Sequence, residues 1–275
     1  MLGENRFNVY DPSWNFQNME IEEYVAYMAS HGENGLRLFV FNDCEGEQRP
    51  ERDQPGCLEP ELGRFDERVA RDFDRIFSAA ERHGVYVILT VFAVGFTPDD
   101  VWKGWDDNPY NRARGGIVST PSEFFTSPVA RQFQKRRLDY VIDRYGAYRS
   151  LFAVDLLNEP EWDGKIGEAT WLPWAEDLAR HLRARDPYQH LITVGSVGLH
   201  WNIDGDERAW YGSPENDFVQ WHLYGEETYD PHALAAELTR KIEETRGFGK
   251  PIVVGEFGYG GEDKTTFDHT HVGIW

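Results

Sequence analysis

The residues best placed to do chemistry are two glutamates, each of which ends a short apolar segment. Glu159 follows the run Leu151–Leu157 and precedes Pro160, and Glu256 follows Ile252–Gly255. Such runs are typical of strands buried on both faces. Proline cannot donate a hydrogen bond to a sheet, so the first strand must end there. Two carboxyl groups held at strand ends can serve as an acid and a base, or as an acid and a nucleophile.

The elements that must position these glutamates alternate between strand and helix along the chain. Ser127 and Pro128 predict an N-cap and a first-turn proline, and Pro173 and Pro231 also predict helix starts. Strands separated by helices predict a parallel sheet. The predicted strands are 35–41, 85–92, 151–159, 191–194, 218–224 and 252–255, and the predicted helices are 21–31, 66–83, 128–145, 173–185 and 231–246.

Two weaker strands, 2–9 and 271–275, raise the count to eight and predict a (β/α)8 TIM barrel of the α/β class. A single barrel domain over residues 1–275 fits, since such barrels need about 250 residues. An open, doubly wound sheet is the alternative. No Gly-x-Gly-x-x-Gly turn follows any predicted strand, which argues against a dinucleotide-binding domain.

The predicted barrel lacks its last helix, because the sequence ends with the eighth strand at Trp275. Apolar barrel wall beside that strand would then be uncovered. We expect it to be covered either by self-association or by chain that continues past Trp275.

The charge of the chain limits its partners. The formal net charge is −20, from 48 acidic and 28 basic residues. This balance repels nucleic acid, anionic membranes and acidic polysaccharides. The longest apolar run falls far short of the roughly 18 residues of a membrane span, and the first residues lack the pattern of a secretory signal. A neutral substrate is expected, and a polymeric one would favour an extracellular location.

The two cysteines, Cys44 and Cys57, flank a loop at 45–56. Two cysteines are too few for a disulfide framework. A single disulfide across the loop and a pair of free thiols are both compatible with the sequence.

Two segments contain metal-ligand residue types. His269 and His271, preceded by Asp268, have a spacing that suits zinc, but they precede the last predicted strand and so lie away from the carboxyl ends. The segment 204–207 is acidic, yet it lacks the regular ligand pattern of a calcium loop. The sequence therefore predicts neither a metal nor a cofactor.

Polar and aromatic side chains cluster at the predicted strand ends, where barrels of this type build their active sites. They are Arg37, Asn158, Glu159, His222, Tyr224, Glu256 and Trp275. In this order, with Asn158-Glu159-Pro160, His222-x-Tyr224 and Gly255-Glu256-Phe257-Gly258, they resemble clan A of the retaining glycoside hydrolases. The resemblance is to the cellulase and mannanase family usually numbered five, and it spans nearly the whole chain.

The resemblance implies a β-glycosidase that works by double displacement, with Glu159 as acid/base and Glu256 as nucleophile. This chemistry needs two carboxyl groups about 5–5.5 Å apart. Arg37 and Tyr224 would favour the charged form of Glu256, whose charge would help Glu159 to keep its proton. Asn158 would hydrogen-bond the sugar 2-hydroxyl.

The resemblance also implies contacts between the substrate and aromatic or imidazole side chains. Trp275 would form the floor of the sugar-binding subsite. His222 would orient its neighbours or bind substrate, although a lone histidine can also be an ordinary core residue. Trp162 is the best candidate for a neighbouring subsite. Other tryptophans after strands could line a cleft or pack loops, namely Trp102, Trp105, Trp171, Trp201 and Trp210.

Two alternatives to an endo-acting β-glycanase are left open by these residues. One is a carbohydrate-binding barrel that does not hydrolyse its ligand. The other is a metal-dependent barrel hydrolase. The residue types do not distinguish between gluco, manno and galacto substrates.

Overall fold

The computed structural model describes residues 1, 3–6, 20–40, 57–92, 104–160, 166–196, 207–225 and 231–259. Strands and helices alternate through these residues. The strands are β1 Gly3–Arg6, β2 Gly35–Phe39, β3 Tyr86–Phe92, β4 Leu151–Asn158, β5 Leu191–Gly195, β6 Val219–Gly225 and β7 Ile252–Tyr259. The helices are α1 Ile21–Ser30, α2 Glu67–His83, α3 Gly104–Asp107, α4 Pro121–Thr126, α5 Pro128–Tyr145, α6 Glu168–Arg185, α7 Arg208–Gly212 and α8 Pro231–Thr245, with 3₁₀ turns at Arg112–Arg114 and Arg246–Phe248.

The strands pair in sequence order, and every pairing is parallel. β1 to β5 form one sheet, and β6 pairs with β7. A parallel bridge between Ser196 and Trp221 connects β5 to β6, and the His222 N–H donates to the Ser196 carbonyl at 2.9 Å. These are seven consecutive strands of the predicted barrel. The eighth predicted strand, 271–275, lies outside the described residues.

Helix α2 shows how the outer layer is specified. Its N-cap, Asp66, accepts from the backbone N–H of Arg68 and Val69, and it ends at Gly84 in the left-handed region with a φ of 70°. The residues spaced at three and four, among them Phe73 and Phe77, are buried against the strands. The predicted amphipathic helix is confirmed.

Helix α6 corrects one predicted boundary. It begins at Glu168 and not at Pro173, so this proline lies inside the helix. A proline inside a helix removes one backbone hydrogen bond and costs about 3 kcal/mol or more. Trp171 and Trp174, on either side of it, are fully buried, and their packing offsets that cost. By contrast, Ser127 caps α5 as predicted, accepting from the Ala130 N–H at 3.3 Å.

A buried ion pair connects the segment that begins at residue 57 to the barrel. Glu59 accepts from the Arg137 guanidinium at 2.9 Å, and neither side chain is exposed. The same guanidinium donates to the Val40 carbonyl at the end of β2, at 2.9 Å. Burial raises the pKa of Glu59, and the charge of Arg137 opposes that shift. Residues 57–63 are thereby held against the carboxyl end of β2.

The structure shows the bonding state of one of the two cysteines. Cys57 is buried and disulfide-bonded. The sequence has only one other cysteine, Cys44, which lies outside the described residues. Of the two predicted states, Cys57 therefore adopts the disulfide and not the free thiol.

None of the helices in the described part of the chain is both long enough and apolar enough to cross a membrane.

Candidate active site

Arg37 connects the two halves of the site. It lies in the middle of β2 and is buried. Its Nη1 donates to Glu256 Oε1 at 2.6 Å, and its Nη2 donates to Asn158 Oδ1 at 2.7 Å. The Arg37 guanidinium thus contacts Glu256, whose charged form it is predicted to favour, and it also contacts Asn158.

The other edge of the same guanidinium contacts Asp155, a fully buried acid on β4. Arg37 Nε and Nη2 donate to Asp155 Oδ2 at 3.1 and 2.6 Å. Burial by itself would lower the pKa of Arg37, but the negative charges of Asp155 and Glu256 outweigh it, and the pKa is raised. Arg37 is therefore a permanent cation at this position.

Glu159 is presented by an unusual backbone conformation. Its φ is +48°, in the left-handed region that residues other than glycine rarely adopt. Such a conformation costs on the order of 1–3 kcal/mol and has to be held by its surroundings. The Glu159 N–H donates to the Gly195 carbonyl at 2.7 Å, and Pro160 follows. The strand end is thus turned so that the carboxyl group points at the site.

His222, on β6, contacts both glutamates. Its Nδ1 is hydrogen-bonded to Glu159 Oε1 at 2.5 Å and lies 3.7 Å from Glu256 Oε1. The ring is buried, as in the core-histidine alternative, but its contacts are with the two carboxyl groups. His222 therefore orients Glu159, which is one of the two roles predicted for it.

The two glutamates lie close together. Single ligand atoms of Glu159, His222 and Glu256 all lie within 4.8 Å of one another. Glu256 is almost fully buried, with 4% of its side chain exposed, whereas 15% of the Glu159 side chain is exposed. Oxygen atoms this close are compatible with the carboxyl separation of about 5–5.5 Å in a retaining glycosidase, which is shorter than the roughly 6.5–9.5 Å of an inverting one.

The same three residues are also the metal-ligand cluster found among the described residues. The Arg37 guanidinium already binds Glu256 Oε1, and its positive charge opposes a cation at that oxygen. The electrostatics therefore disfavour a metal ion at this oxygen. His269, His271, Asp204 and Asp206 lie outside the described residues.

Two glycines make room for the site. A Cβ on Gly195 would lie 2.5 Å from Gln220 Nε2 and 2.8 Å from Arg37 Nη2. A Cβ on Gly255 would lie 2.9 Å from Gln220 Cγ. Since real Cβ atoms do not come this close to other atoms, both positions require glycine for the present packing.

Three predicted substrate contacts stay predictions. Trp162 and Trp275 lie outside the described residues. Tyr224 lies on β6, two residues after His222, but its side chain is not among the described ones. Of the other tryptophans, Trp105, Trp171 and Trp210 are buried in the core, so they pack the protein and do not line a cleft.

Two residues of the site were missed from the sequence. Asp155 and Gln220 lie inside β4 and β6 and not at the strand ends, where the sequence predicts the site. A lone acid inside a strand buried on both faces must be paired, because an unpaired buried charge is very costly. That cost was the signal that could have identified Asp155.

Comparison with known proteins identifies the family. A family model described as "Cellulase (glycosyl hydrolase family 5)" matches residues 4–275. The chain belongs to glycoside hydrolase family 5. Its alternating parallel strands and helices are accordingly those of a (β/α)8 barrel, as predicted.

Two named proteins are similar in sequence to this chain over most of its length. Mannan endo-1,4-beta-mannosidase 3 of rice (Oryza sativa subsp. japonica) is 26% identical over 87% of this chain and 56% of its own length. A probable mannan endo-1,4-beta-mannosidase F of Aspergillus oryzae is 24% identical over 96% of this chain and 59% of its own length. The chain thus spans less than two thirds of the length of these two relatives.

Solved structures agree in fold. A hyperthermostable endo-1,4-beta-D-mannanase from Thermotoga petrophila RKU-1, solved with maltose and glycerol, superposes with a TM-score of 0.72 at 18% identity, covering 99% of this chain and 82% of that one. An exo-beta-1,4-mannosidase from Opitutaceae bacterium strain TAV5 superposes with a TM-score of 0.61 at 17% identity, covering 94% of this chain and 45% of that one.

Proposed function

We propose that this protein is a retaining endo-β-glycanase that cleaves a neutral polysaccharide, with Glu159 as acid/base and Glu256 as nucleophile. The observation that carries the proposal is the pair itself. Two carboxyl groups, one directly after β4 and one on β7, have oxygen atoms within 4.8 Å of each other, and among the described residues only Glu256 is seen bound to a permanent cation. Membership of family 5 supports the same reaction.

In the first step, a Glu256 oxygen forms a bond to the anomeric carbon while the glycosidic C–O bond breaks. The leaving oxygen takes the proton from Glu159. Arg37 holds Glu256 ionised and aimed, since its Nη1 lies 2.6 Å from Oε1. His222 fixes one oxygen of Glu159, leaving the other for the leaving group. The product of this step is a glycosyl ester on Glu256.

In the second step, water attacks the anomeric carbon and the ester bond to Glu256 breaks. Glu159, now a carboxylate, takes the proton of the water. Its partial exposure suits this exchange with solvent, whereas the buried Glu256 is sheltered from water. The two displacements together restore the original β configuration.

Asn158 is oriented to donate a hydrogen bond to the substrate. Because Arg37 donates to its Oδ1, the amide nitrogen Nδ2 faces the other way. Nδ2 is buried and has no hydrogen-bond partner within the described part of the chain. A buried donor without a partner is costly, and a sugar 2-hydroxyl at this place would satisfy it.

β-1,4-Mannan is the substrate that we propose to test first. The two relatives described above are named as a mannan endo-1,4-beta-mannosidase and a probable one, whereas the family model is named for cellulase. The net charge of −20 also favours such neutral chains over acidic ones. A panel of mannan, glucomannan, β-glucan and cellulose, with product lengths measured over time, identifies the substrate and separates endo from exo action.

The roles of the two glutamates are tested with Glu159→Ala and Glu256→Ala on an aryl β-glycoside with a good leaving group. We expect Glu159→Ala to lose about 10²–10⁴-fold in turnover of the polymer. Added azide should then accelerate the reaction and give the β-glycosyl azide, because azide replaces water in the second step. Glu256→Ala should lose more activity, and any azide product should have the α configuration.

Glu176→Ala is the matched control. This glutamate lies on α6 and accepts from Ser213 Oγ at 2.9 Å, outside the site. It should keep wild-type activity. Azide products with the two configurations exchanged would reverse the assigned roles, and full activity in either site variant would end the proposal.

A metal-dependent hydrolase is the second candidate, because Glu159, His222 and Glu256 also form a cluster of metal-ligand atoms. Dialysis against EDTA separates the two candidates. The retaining glycanase keeps its activity, and a metal-dependent enzyme loses it and recovers when zinc or manganese is added.

A further inference from the structure

The barrel layer beneath the two glutamates contains an acid that the proposed steps do not use. Asp155, on β4, is fully buried and accepts five hydrogen bonds. Four of them end on Oδ2, from Arg37 Nε, Arg37 Nη2, Thr90 Oγ1 and Gln220 Nε2. The fifth runs from the Gly195 N–H to Oδ1 at 3.0 Å.

We infer that Asp155 is the positioning residue of this site: its buried negative charge holds Arg37 in place and balances the charge that Arg37 presents to Glu256. The inference rests on the proposed glycosidase function. It concerns how the nucleophile is kept reactive.

The geometry of Arg37 supports this inference first. Asp155 takes Nε and Nη2 on one edge of the guanidinium, while Glu256 and Asn158 are contacted by Nη1 and Nη2. Contacts on both sides leave the group no freedom to rotate or slide. The contacts of Arg37 with Asp155 therefore fix the direction in which its other nitrogen atoms point, towards Glu256 and Asn158.

The position of Asp155 is fixed by several hydrogen-bond donors at once. Its donors come from four other strands, β2, β3, β5 and β6, which surround β4 in the barrel. Donors on several sides leave the carboxylate little freedom to move, so the place of Asp155 behind Arg37 is fixed by the barrel itself.

Charge balance is the second support. Arg37 is shared between two carboxylates, at 2.6 Å from each. Without the charge of Asp155, the whole positive charge of Arg37 would act on Glu256 and stabilise its carboxylate. A more strongly stabilised carboxylate is ionised down to lower pH and is a weaker nucleophile.

The other charged or titratable groups around Glu256 come from β4, β6 and α8. Glu159 and His222 face it directly. Lys241, on α8, is buried and donates to the His222 carbonyl at 3.4 Å. Within the described part of the chain, Arg37 hydrogen-bonds both Asp155 and Glu256, so a change at Asp155 reaches Glu256 through Arg37.

Asn158 provides an independent readout. Arg37 Nη2 donates both to Asp155 Oδ2 and to Asn158 Oδ1. If Asp155 no longer holds Arg37, the Asn158 amide loses the contact that orients Nδ2 towards the substrate. The contribution of the sugar 2-hydroxyl to the rate should then decrease.

The experiment compares Asp155→Asn with wild type on an aryl β-glycoside and on its 2-deoxy analogue, from pH 3 to 9. Asparagine keeps the shape of the side chain and removes the charge. We expect the acidic limb of the kcat/KM profile to move down by about one pH unit. We also expect kcat to fall up to about 100-fold, as for a misplaced catalytic group. The rate ratio between the normal and 2-deoxy substrates should shrink.

Two further variants control for a role in stability alone. Thr193 pairs with Asp155 across β4 and β5, but its buried hydroxyl donates to the Phe218 carbonyl at 3.0 Å and not to Asp155, and Thr193→Val removes that hydroxyl. This variant should change neither the position of the acidic limb nor the rate ratio between the normal and 2-deoxy substrates. Asp155→Glu restores the charge, and the limb should return to its wild-type position even if the rate does not.

An acidic limb and a substrate ratio that both stay at wild-type values in folded Asp155→Asn would overturn the inference. If that variant does not fold, Thr90→Val takes its place, since it removes one donor from Asp155 Oδ2 and keeps every charge. Because every charge is kept, its acidic limb should stay in place, whereas the rate ratio between the two substrates should shrink by less than in Asp155→Asn. A substrate ratio equal to that of Thr193→Val would again overturn the inference.

Failure of the proposed function can be told apart from failure of this inference. If wild type cleaves no glycoside, the proposed function fails. The ionisation of Glu256 is then followed by ¹³C NMR of carboxyl-labelled glutamate, with the signal assigned through Glu256→Gln. A titration that moves to lower pH in Asp155→Asn supports the charge balance, and an unmoved titration overturns it.

Discussion

His222 and Glu159 show how the site works at the scale of single residues. Their Nδ1 and Oε1 atoms are hydrogen-bonded at 2.5 Å. The histidine ring is held by the buried layer below, and Glu159 is held by its left-handed backbone. The proton donor of the proposed reaction is therefore fixed both by its main chain and by its neighbour.

Replacing His222 by leucine should misplace the Glu159 carboxyl group. We expect kcat/KM to fall up to about 100-fold on substrates whose leaving group needs a proton. The loss should be much smaller on a dinitrophenyl glycoside, which leaves without protonation. Steady-state kinetics over a series of aryl leaving groups measure the difference.

His222→Asn and His181→Asn are the controls. An asparagine amide can occupy the place of Nδ1, so His222→Asn should retain more activity than the leucine variant. His181 on α6 makes a similar contact, 2.9 Å to Asp139, on the outside of the barrel, and its loss should leave kinetics unchanged. Equal losses on good and poor leaving groups would show that His222 does not act through Glu159.

Residue types and order were enough to predict Arg37, Asn158, Glu159, His222 and Glu256, and the structure brings these five together. Asp155 could not be assigned in the same way, because its role depends on five donors from four other strands. Only the three-dimensional register shows that Thr90 and Gln220 reach the same oxygen.

At the scale of elements, the site depends on the close approach of β5 and β6. Gly195 ends β5, and its missing side chain leaves room for Gln220 and Arg37. The predicted strands agree with the observed ones because buried apolar runs and their end signals are local features. The start of α6 was predicted wrongly, because burial of Trp171 and Trp174 stabilises turns before Pro173 that a local rule excludes.

Gly195→Ala tests this packing. The added methyl group would lie 2.5 Å from Gln220 Nε2, so Gln220 and Arg37 must move. We expect a loss of roughly 1–3 kcal/mol in the free energy of unfolding, as for other overpacked cores, together with a fall in kcat. Denaturant melts and kinetics on the same preparation measure both effects.

Gly247→Ala is the matched control, since a Cβ there meets nothing within 4 Å. It should leave both the unfolding free energy and kcat near wild type. A Gly195→Ala enzyme with unchanged kinetics would mean that Arg37 tolerates displacement, contrary to the positioning described above.

At the scale of the whole molecule, buried charges hold the barrel and its connections together. The Glu59–Arg137 pair attaches residues 57–63 to the end of β2 and lies under α5. Glu59→Gln would leave the Arg137 charge buried without its carboxylate. We expect it to lower the free energy of unfolding by roughly 3–5 kcal/mol, measured by denaturant or thermal melting.

Glu61→Gln is the control two positions away. Its ion pair with Arg64 is largely exposed, with side-chain exposures of 69% and 64%. Such pairs contribute about 0–1 kcal/mol, so this variant should melt close to wild type. Equal melting of the two variants would contradict a stabilising role for the buried pair.

The (β/α)8 barrel could be predicted from the alternation of strands and helices, because each strand and each amphipathic helix is specified locally. The loop helices α3, α4 and α7 were not predicted, since each is short and is stabilised by contacts with the rest of the fold. A single domain over 1–275, the missing last helix and self-association at the uncovered wall stay predictions, because the segment 260–275 lies outside the described residues.

The most direct test of the account is the configuration of the first product. Hydrolysis of a β-linked oligosaccharide or aryl β-glycoside is followed in D₂O by ¹H NMR of the anomeric protons, before mutarotation mixes the two forms. A carboxyl pair within 4.8 Å predicts that the β-anomer appears first and the α-anomer follows only by mutarotation. The α-anomer as the first product would mean inversion, and would contradict a covalent intermediate on Glu256.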